Sequence, residues 1–455
     1  MRSLPMLQLS RRLWSWSLLA TVAIHIGTAQ AELHAGPMQG YPAMRSAVIW
    51  LQTDRMEPVQ LAWWPEHHKE LRKLTAPILT DGQHQYTALV TVGNLEPETN
   101  YRYQIVLDGK TDTSIEPLTF KTAPLWEWRE PAPDFKVLTG SCAYINQAKF
   151  DRPGTPYGGG YEIYSAMAAQ HADLMVWLGD NLYYREADYS SPSGMAARYW
   201  HDRALPELQG FLRNTPQVAI WDDHDYGYND SGNSFIFKGA SLELFKNYWA
   251  NPGYGLPGTS GIFTKVTLND ADFFMLDDRW WRDANAAQDR PGKHMFGKIQ
   301  MDWLKNALLE STAHFKIIAA GGQMLNNGDA YEGWNHFAYE QTDFLAWLKN
   351  NNIKGVIFLT GDRHISELLR LNRPRTYPLY EFTCSPLNSG PAKGSKYNPQ
   401  RIEGTLVEQR NFCSMSFTGQ GKARELNLNV YDSQGRELWK RTLTPADLGY
   451  EQIDR

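Results

Sequence analysis

At 455 residues with 42% apolar and 21% charged side chains, the chain is long enough for two or three buried cores and has the composition of a globular protein. Its formal charge of −5 gives it no overall attraction for nucleic acid phosphates, and no nucleic-acid-binding module is expected. Three cysteines are too few for a disulfide-stapled miniature fold and leave one thiol over after any pairing.

The first residues read as an export signal. Arg11 and Arg12 precede an apolar run from Trp14 to Ile26, and Ala29-Gln30-Ala31 has the small-x-small form of a cleavage site. Residues 1–31 are therefore expected to be a signal peptide. The adjacent arginines fit the twin-arginine route, although an ordinary secretory signal also carries such pairs. The run is short for a membrane anchor, which takes about 20 apolar residues, and no later stretch is apolar enough to span a bilayer. The expected partner here is the export machinery, and the expected location is the periplasm or the medium. Loss of Arg2, Arg11 and Arg12 with this segment takes the formal charge from −5 to −8.

Residues 32–124 alternate β-type runs with turn residues, with candidate strands at 47–51, 59–64, 86–92, 101–107 and 118–121. That spacing predicts an antiparallel β-sandwich. The segment from Leu95 to Tyr103 is similar to a turn and strand of fibronectin type III-like domains, with a tyrosine packed inside. No cluster of metal-ligating residues falls here, and His67-His68 is expected on a solvated loop. Residues 125–133, bounded by prolines, read as a linker. From 134 to 455, strands alternate with amphipathic segments in the manner of an α/β domain. Helices are expected at 163–170, 241–250 and 297–310, with a strand at 377–384 and a hairpin over 425–431 and 437–442. Long loops are expected at 143–160, 185–200, 225–240 and 251–260, the kind of segment that carries function.

Five apolar runs in this second part end in polar clusters. Residues 173–178 lead into Gly179-Asp180-Asn181-Leu182-Tyr183-Tyr184, and 135–138 into Gly140-Ser141-Cys142. Residues 218–221 lead into Asp222-Asp223-His224-Asp225, 315–320 into Gly321-Gly322-Gln323, and 353–360 into Gly361-Asp362-Arg363-His364. In α/β sheets, ligands gather beyond the carboxyl ends of the strands. Carboxylates, imidazoles and a thiol delivered there are the donor types of a metal centre. Asp180 and Tyr183 share one turn, and a carboxylate there can bridge two cations. Three acids around His224 are costly to place together unless cations neutralise them. Asn229 follows as an amide oxygen ligand, and Asp362 and His364, two apart, point the same way from an extended strand end. Arg279, after the run 273–276, can grip a phosphate with its planar fork, or it pairs with Asp277 or Asp278. Tyr184, Trp221 and Tyr226 fall where they can rim the cleft or simply pack.

Taken singly, each feature has a plainer reading: a helix-capping Asp, a packed Tyr, a buried thiol, a solvated acidic turn. Cys384 and Cys413 are spaced for a feasible bridge, which leaves Cys142 as the odd thiol. No phosphate-cradling loop ending in Gly-Lys-Ser/Thr and no G-x-S-x-G elbow occurs, and Ser141 has no orienting base beside it, so a serine hydrolase is not expected.

In combination, Gly140-Ser141-Cys142, Gly179-Asp180-Asn181-x-Tyr183, Trp221-Asp222-Asp223-His224-Asp225-Tyr226-Gly227 and Thr360-Gly361-Asp362-Arg363-His364 resemble the motifs of the alkaline phosphatase D family, exported calcineurin-like metallophosphoesterases. Leu276-Asp277-Asp278-Arg279, Gly297-x-x-Gln300-x-x-Trp303-Leu304 and Gly36-Pro37-Met38-x-Gly40 are similar to it as well. The likeness covers nearly the whole mature chain. It implies a four-layer αββα metallophosphoesterase domain preceded by a fibronectin/Ig-like antiparallel β-sandwich. By resemblance, Cys142, Asp180, Tyr183 and His364 would hold Fe(III), and Asp180 would bridge to Ca(II) held with Asp223, Asn229 and Asp362. Ser-Cys replaces the usual first Asp-x-His, and Asp-Arg-His the usual last His-x-His, so Zn or Mn stay open as alternatives.

The expected chemistry is hydrolysis of a small-molecule or polymer phosphate ester by a hydroxide held between metals, attacking phosphorus in line. His224 is expected to serve the leaving oxygen and Arg279 the phosphoryl charge. Asn181, Tyr184, Tyr226 and Arg363 are expected to contact substrate. Two alternatives stand beside this reading: a strict phosphodiesterase of envelope polymers or phospholipids, and a surface-binding module with an inactive hydrolase domain.

Overall fold

The computed structural model describes residues 31–451 except 329–330 and 395–396, so the expected signal segment lies outside the described residues but for Ala31. Residues 31–121 form two facing antiparallel sheets. One contains Leu33–Gln39, Ser46–Thr53 and Thr87–Gly93. The other is centred on Pro58–Pro65 paired with Asn100–Leu107 and edged by four short strands. Ile49, Leu51, Val90, Leu61, Tyr103 and Phe120 fill the space between them, in the alternation that strand periodicity requires. The first strand was not legible as one, because Gly36 and Pro37 break its apolar pattern.

Beyond residue 133, two six-stranded sheets face each other. The first runs, in spatial order, Gln217–Ile220, Leu174–Leu178, Phe135–Gly140, Asn411–Thr418, Glu425–Asp432 and Glu437–Leu443. The second runs Thr264–Leu268, Ala271–Met275, Phe315–Ala320, Val356–Thr360, Leu379–Thr383 and Glu367–Leu371. The strands that end in chemistry are parallel neighbours within their sheets, so their carboxyl ends emerge on one side.

Neighbouring residues of the second sheet divide between two cores. Phe273, Ile317, Ala319, Ile357 and Leu359 face the first sheet. Phe274, Ile318, Ala320, Val356 and Phe358 face Leu304, Leu308, Phe344 and Leu348 of the helices Lys298–Glu310 and Ala338–Asn350. Phe417 of the first sheet meets Phe273 and Phe315 of the second with ring centres 6.4 and 4.9 Å away. Helices Glu162–Ala168, Pro206–Asn214 and Lys238–Tyr248 join the core that includes the first sheet. The layers are α, β, β, α, as expected. This is why the strands read as near-continuous apolar runs: both faces are covered.

One expectation is corrected, and two elements are new. The loop expected at 185–200 contains most of a helix, Pro192–Arg203, started by Ser191, whose hydroxyl accepts the Gly194 N–H, with Pro192 at the first helical position. Helix Ala338–Asn350 and strand Asn411–Thr418 were not anticipated. Cys384 and Cys413 are bonded, joining the end of one sheet to the other, and Cys142 is the free, buried thiol.

Candidate metal centre

The turns that follow the strands carry an unusual backbone. Cys142, Asp180, Asp362 and His364 all have positive φ, at 63°, 50°, 62° and 54°. Non-glycine residues adopt this region rarely, and such conformations concentrate at functional sites. Glycines before them allow the turns to touch: Gly179 has φ 88°, and a Cβ there would lie 2.6 Å from the Asp222 nitrogen. A Cβ on Gly361 would meet the Ser141 hydroxyl at 2.4 Å.

The side chains converge. The Cys142 thiol donates to Asp180 Oδ2 at 3.5 Å, and the Tyr183 hydroxyl donates to the same oxygen at 3.0 Å. Tyr183 also lies 3.3 Å from His364 Nε2. One ligand atom each from Cys142, Asp180 and His364 falls within 4.8 Å of the others, and the same holds for Asp180, Asp223 and His224 and for Asp223, Asp230 and Glu332. Asp180 belongs to the first two groups and Asp223 to the last two. His364 Nδ1 faces the Gly390 carbonyl. Because a carbonyl only accepts, the proton belongs on Nδ1 and the Nε2 lone pair faces Tyr183 and Asp180, the arrangement of a metal-binding histidine oriented from behind.

Electrostatics shows what the cluster lacks in protein charge. Burial, then Cys142 and the neighbouring acids, holds the Asp180 carboxyl well above the usual carboxylate range. Burial pushes the Cys142 thiol up to about 11, and it pushes Asp362 up to about 6 against the opposing pull of Arg363. Burial and the nearby Asp180 and Cys142 also raise Tyr183. Groups that resist ionisation only because like charges and apolar surroundings crowd them become ligands once a cation joins them. A thiol, a phenol, an imidazole and carboxylates form a donor set that suits transition metals on the Cys142 side and hard cations on the Asp223 side. The residues therefore fit the metals that the fold implies.

Asp225 braces the arrangement. Its carboxylate accepts the backbone N–H of Asp222 at 2.6 Å, of Asn181 at 3.2 Å and of Asp180 at 3.3 Å, together with Asn181 Nδ2 at 2.6 Å. Two ligand-bearing turns thus share one buried anchor.

Several sequence expectations are corrected by where the side chains point. The Asn181 amide turns inward, donating to the Ile220 carbonyl and Asp225. Tyr184 is buried edge-on to Tyr199, and Tyr226 is wholly buried against Trp221, with its hydroxyl donating to the Gly232 carbonyl. All three turn toward the interior, where Asn181 Oδ1 and the Tyr184 hydroxyl are buried, and Trp221 is core as well. Arg279 has no exposed surface: Nε donates to Asp222 Oδ1 at 2.6 Å and Nη1 to Glu332 Oε2 at 2.7 Å. It compensates buried acids instead of reaching for a phosphate, and its principal partners are not the neighbours the sequence suggested. Asn229 is exposed, and its neighbour Asp230 joins Asp223 and Glu332 instead. Arg363 is half-buried next to Asp362. It lies 3.9 Å from Asp362 and beneath the Tyr331 ring, with Nε unpartnered.

Two residues escaped sequence reasoning. Glu332 lies on a loop with no strand before it. Tyr157 is 44% exposed, with its hydroxyl 3.3 Å from His364 Nδ1 and its ring edge-on to Tyr183. Its only signal is an aromatic in the glycine-rich part of the loop 143–160.

Known proteins resemble this chain in sequence and in fold. Residues 257–429 fit the family model of PhoD-like phosphatases, and residues 30–122 fit a domain of unknown function (DUF7800). Alkaline phosphatase D of Bacillus subtilis strain 168 is 26% identical over 395 residues, 73% of this chain, and the chain spans 64% of that relative's length. A solved structure of PhoD superposes with a TM-score of 0.70 at 19% identity, covering 90% of this chain and 91% of that one. A purple acid phosphatase from yellow lupin seeds superposes at 0.65 with 11% identity, covering 90% of this chain and 74% of that one. The sandwich followed by an αββα body is the fold this chain shares with PhoD and with the lupin purple acid phosphatase. Residues 257–429 are similar to a PhoD-like phosphatase domain, in keeping with the alkaline phosphatase D resemblance of the motifs.

Proposed function

We propose that this protein is an exported phosphoric ester hydrolase whose metal centre is built by Cys142, Asp180, Tyr183 and His364 on one side and Asp223, Asp362 and the amide oxygen or carboxylates of residues 229–230 on the other. The convergence of Cys142, Asp180, Asp223 and His364 at strand ends carries the reading. Cations held there, ferric and calcium by resemblance, would supply a water acidic enough to yield hydroxide near neutral pH and positive charge against the phosphoryl oxygens. The chain's own residues do the rest. Asp225 and Ser385 hold the turns, the latter by donating to Cys142 Sγ at 3.1 Å. Arg363, with its uncommitted Nε, is the guanidinium best situated for a phosphoryl oxygen. The His224 ring lies tilted against that of Tyr183 with ring centres 4.2 Å apart, and burial lowers its pKa, so a neutral N–H is available to the leaving oxygen.

Tyr157 lies beside His364, and Tyr157→Ala is expected to raise KM about three- to tenfold, the worth of one aromatic contact, with metal content unchanged. An unchanged KM would remove Tyr157 from the substrate path. The overall reading is tested by assaying the purified chain on matched mono- and diesters. Turnover of both supports a general phosphoesterase, turnover of diesters alone selects the phosphodiesterase alternative, and turnover of neither rejects the proposal. Export is supported by the sequence of residues 1–31, and no helix among the described residues is long and apolar enough to cross a membrane.

A further inference from the structure

A small cavity lies beside the Asn181 turn, bordered by Asn181, Tyr199, Asp202, Arg203, Leu208 and Trp249 among others. Four of these residues bring buried polar atoms with no hydrogen-bond partner: Asn181 Oδ1, Tyr199 Oη, Asp202 Oδ2 and Trp249 Nε1. Tyr199 is 1% exposed, Trp249 2% and Asp202 5%. The Tyr184 hydroxyl, on the ring edge-on to Tyr199, is unpartnered as well. Trp249 Nε1 faces the Tyr199 hydroxyl without completing a hydrogen bond to it. Native interiors seldom leave such groups unsatisfied, and so many around one space point to a shared partner.

The chemistry of the lining selects that partner. Trp249 N–H only donates, Asn181 Oδ1 and the Asp202 carboxylate only accept, and the Tyr199 hydroxyl does either. A cation would face the Trp249 N–H and the Arg203 guanidinium. An anion would face the Asp202 carboxylate and the Asn181 oxygen. An apolar occupant would leave all four groups unsatisfied. Water both donates and accepts, and the cavity admits molecules of its size.

We propose that this cavity is a built hydration site in which ordered water is held by Asn181 Oδ1, Tyr199 Oη, Asp202 Oδ2 and Trp249 Nε1. The bound water completes the hydrogen bonding of the Asn181 amide, whose nitrogen donates to Asp225, the anchor shared by the turns of Asp180 and Asp222. Hydration therefore supports the candidate centre from behind. The inference concerns the fold alone and stands whether or not the chain hydrolyses phosphate esters.

Tyr199→Phe separates a hydrogen-bonded hydroxyl from an unsatisfied one, and a crystal structure separates water from direct pairing with Trp249. The aromatic stack of Tyr199 on Tyr248, with centres 4.5 Å apart, survives the substitution. If water is bound, the variant loses a hydrogen bond to it, and Tm is expected to fall by about 1–2 °C. If the cavity is dry, the variant removes an unsatisfied buried hydroxyl, and Tm rises or stays. Either of the latter results overturns the proposal. A high-resolution crystal structure of the full chain is expected to show water within about 3 Å of all four atoms. A dry cavity, a metal ion there, or direct pairing of Tyr199 with Trp249 also overturns it.

Discussion

Asp223→Ala and His364→Ala are each expected to lower kcat for a simple phosphoester by about three orders of magnitude, with the folded state retained. Removing either donor takes away a ligand from a group whose members lie within 4.8 Å. Metal assistance is worth several kcal/mol of barrier, and each ~1.4 kcal/mol is a factor of ten. Stability should not fall in step. Asp223 stands among Asp180, Asp222 and Asp230, and its charge contributes to the raised pKa of each. Its loss relieves that crowding. The cost is the hydrogen bond that Asp223 Oδ2 accepts from the Asp230 N–H at 2.7 Å. Circular dichroism and thermal melting separate the two effects. Full activity in both variants would end the proposed assignment of these residues.

Arg279→Met is expected to destabilise the protein by about 3–5 kcal/mol, the cost of breaking a buried pair by removing one partner. Asp222, Asp278 and Arg279 have no exposed side-chain surface, and Glu332 has 5%. Burial works against the guanidinium's charge, but Asp222 and Glu332 outweigh it and hold its pKa well above the ordinary value. The same contacts pull Glu332 down against its own burial. Without Arg279, these acids must either take up protons or unfold the region. Asp222 caps the short helix Asp223–Tyr226 that carries Asp223 and His224, so the damage reaches the candidate ligands. Thermal unfolding of the variant measures it, and wild-type stability would show that Arg279 is not the main compensating charge.

The architecture was legible wherever burial on both faces produced unbroken apolar runs. Residues 315–320 and 118–121 were read to the residue, and the parallel strands within three residues at either end. Helix Pro192–Arg203 was hidden because its apolar periodicity is weak: it buries Arg198, Asp202 and Arg203 beside Met195 and Tyr199. Strand Asn411–Thr418 alternates apolar residues with Ser414 and Ser416 and carries half of the disulfide, so it lacked the apolar run used to find its neighbours.

The site divides along a similar line. The candidate ligands that closely follow strands were chosen from their position, because a strand end fixes where the next side chains go, and several of them lie together. Other side chains of the same turns point away from that cluster. Asn181, Tyr184 and Tyr226 share turns with Asp180 and Asp223, yet alternate residues of a turn face opposite ways, and these face the core. Glu332, Asp230 and Tyr157 come from loops, whose course depends on tertiary partners such as Arg282 and Arg410 rather than on local pattern.

The central claim, that one thiol, one phenol, imidazole and carboxylates share cations, is tested most directly by elemental analysis of the purified chain against an Asp180→Asn variant. At least two metal equivalents per chain are expected in the wild type, with loss of metal from the variant because Asp180 belongs to two of the three donor groups. A wild-type chain that hydrolyses phosphoesters after exhaustive chelation, with no metal remaining, would contradict the account.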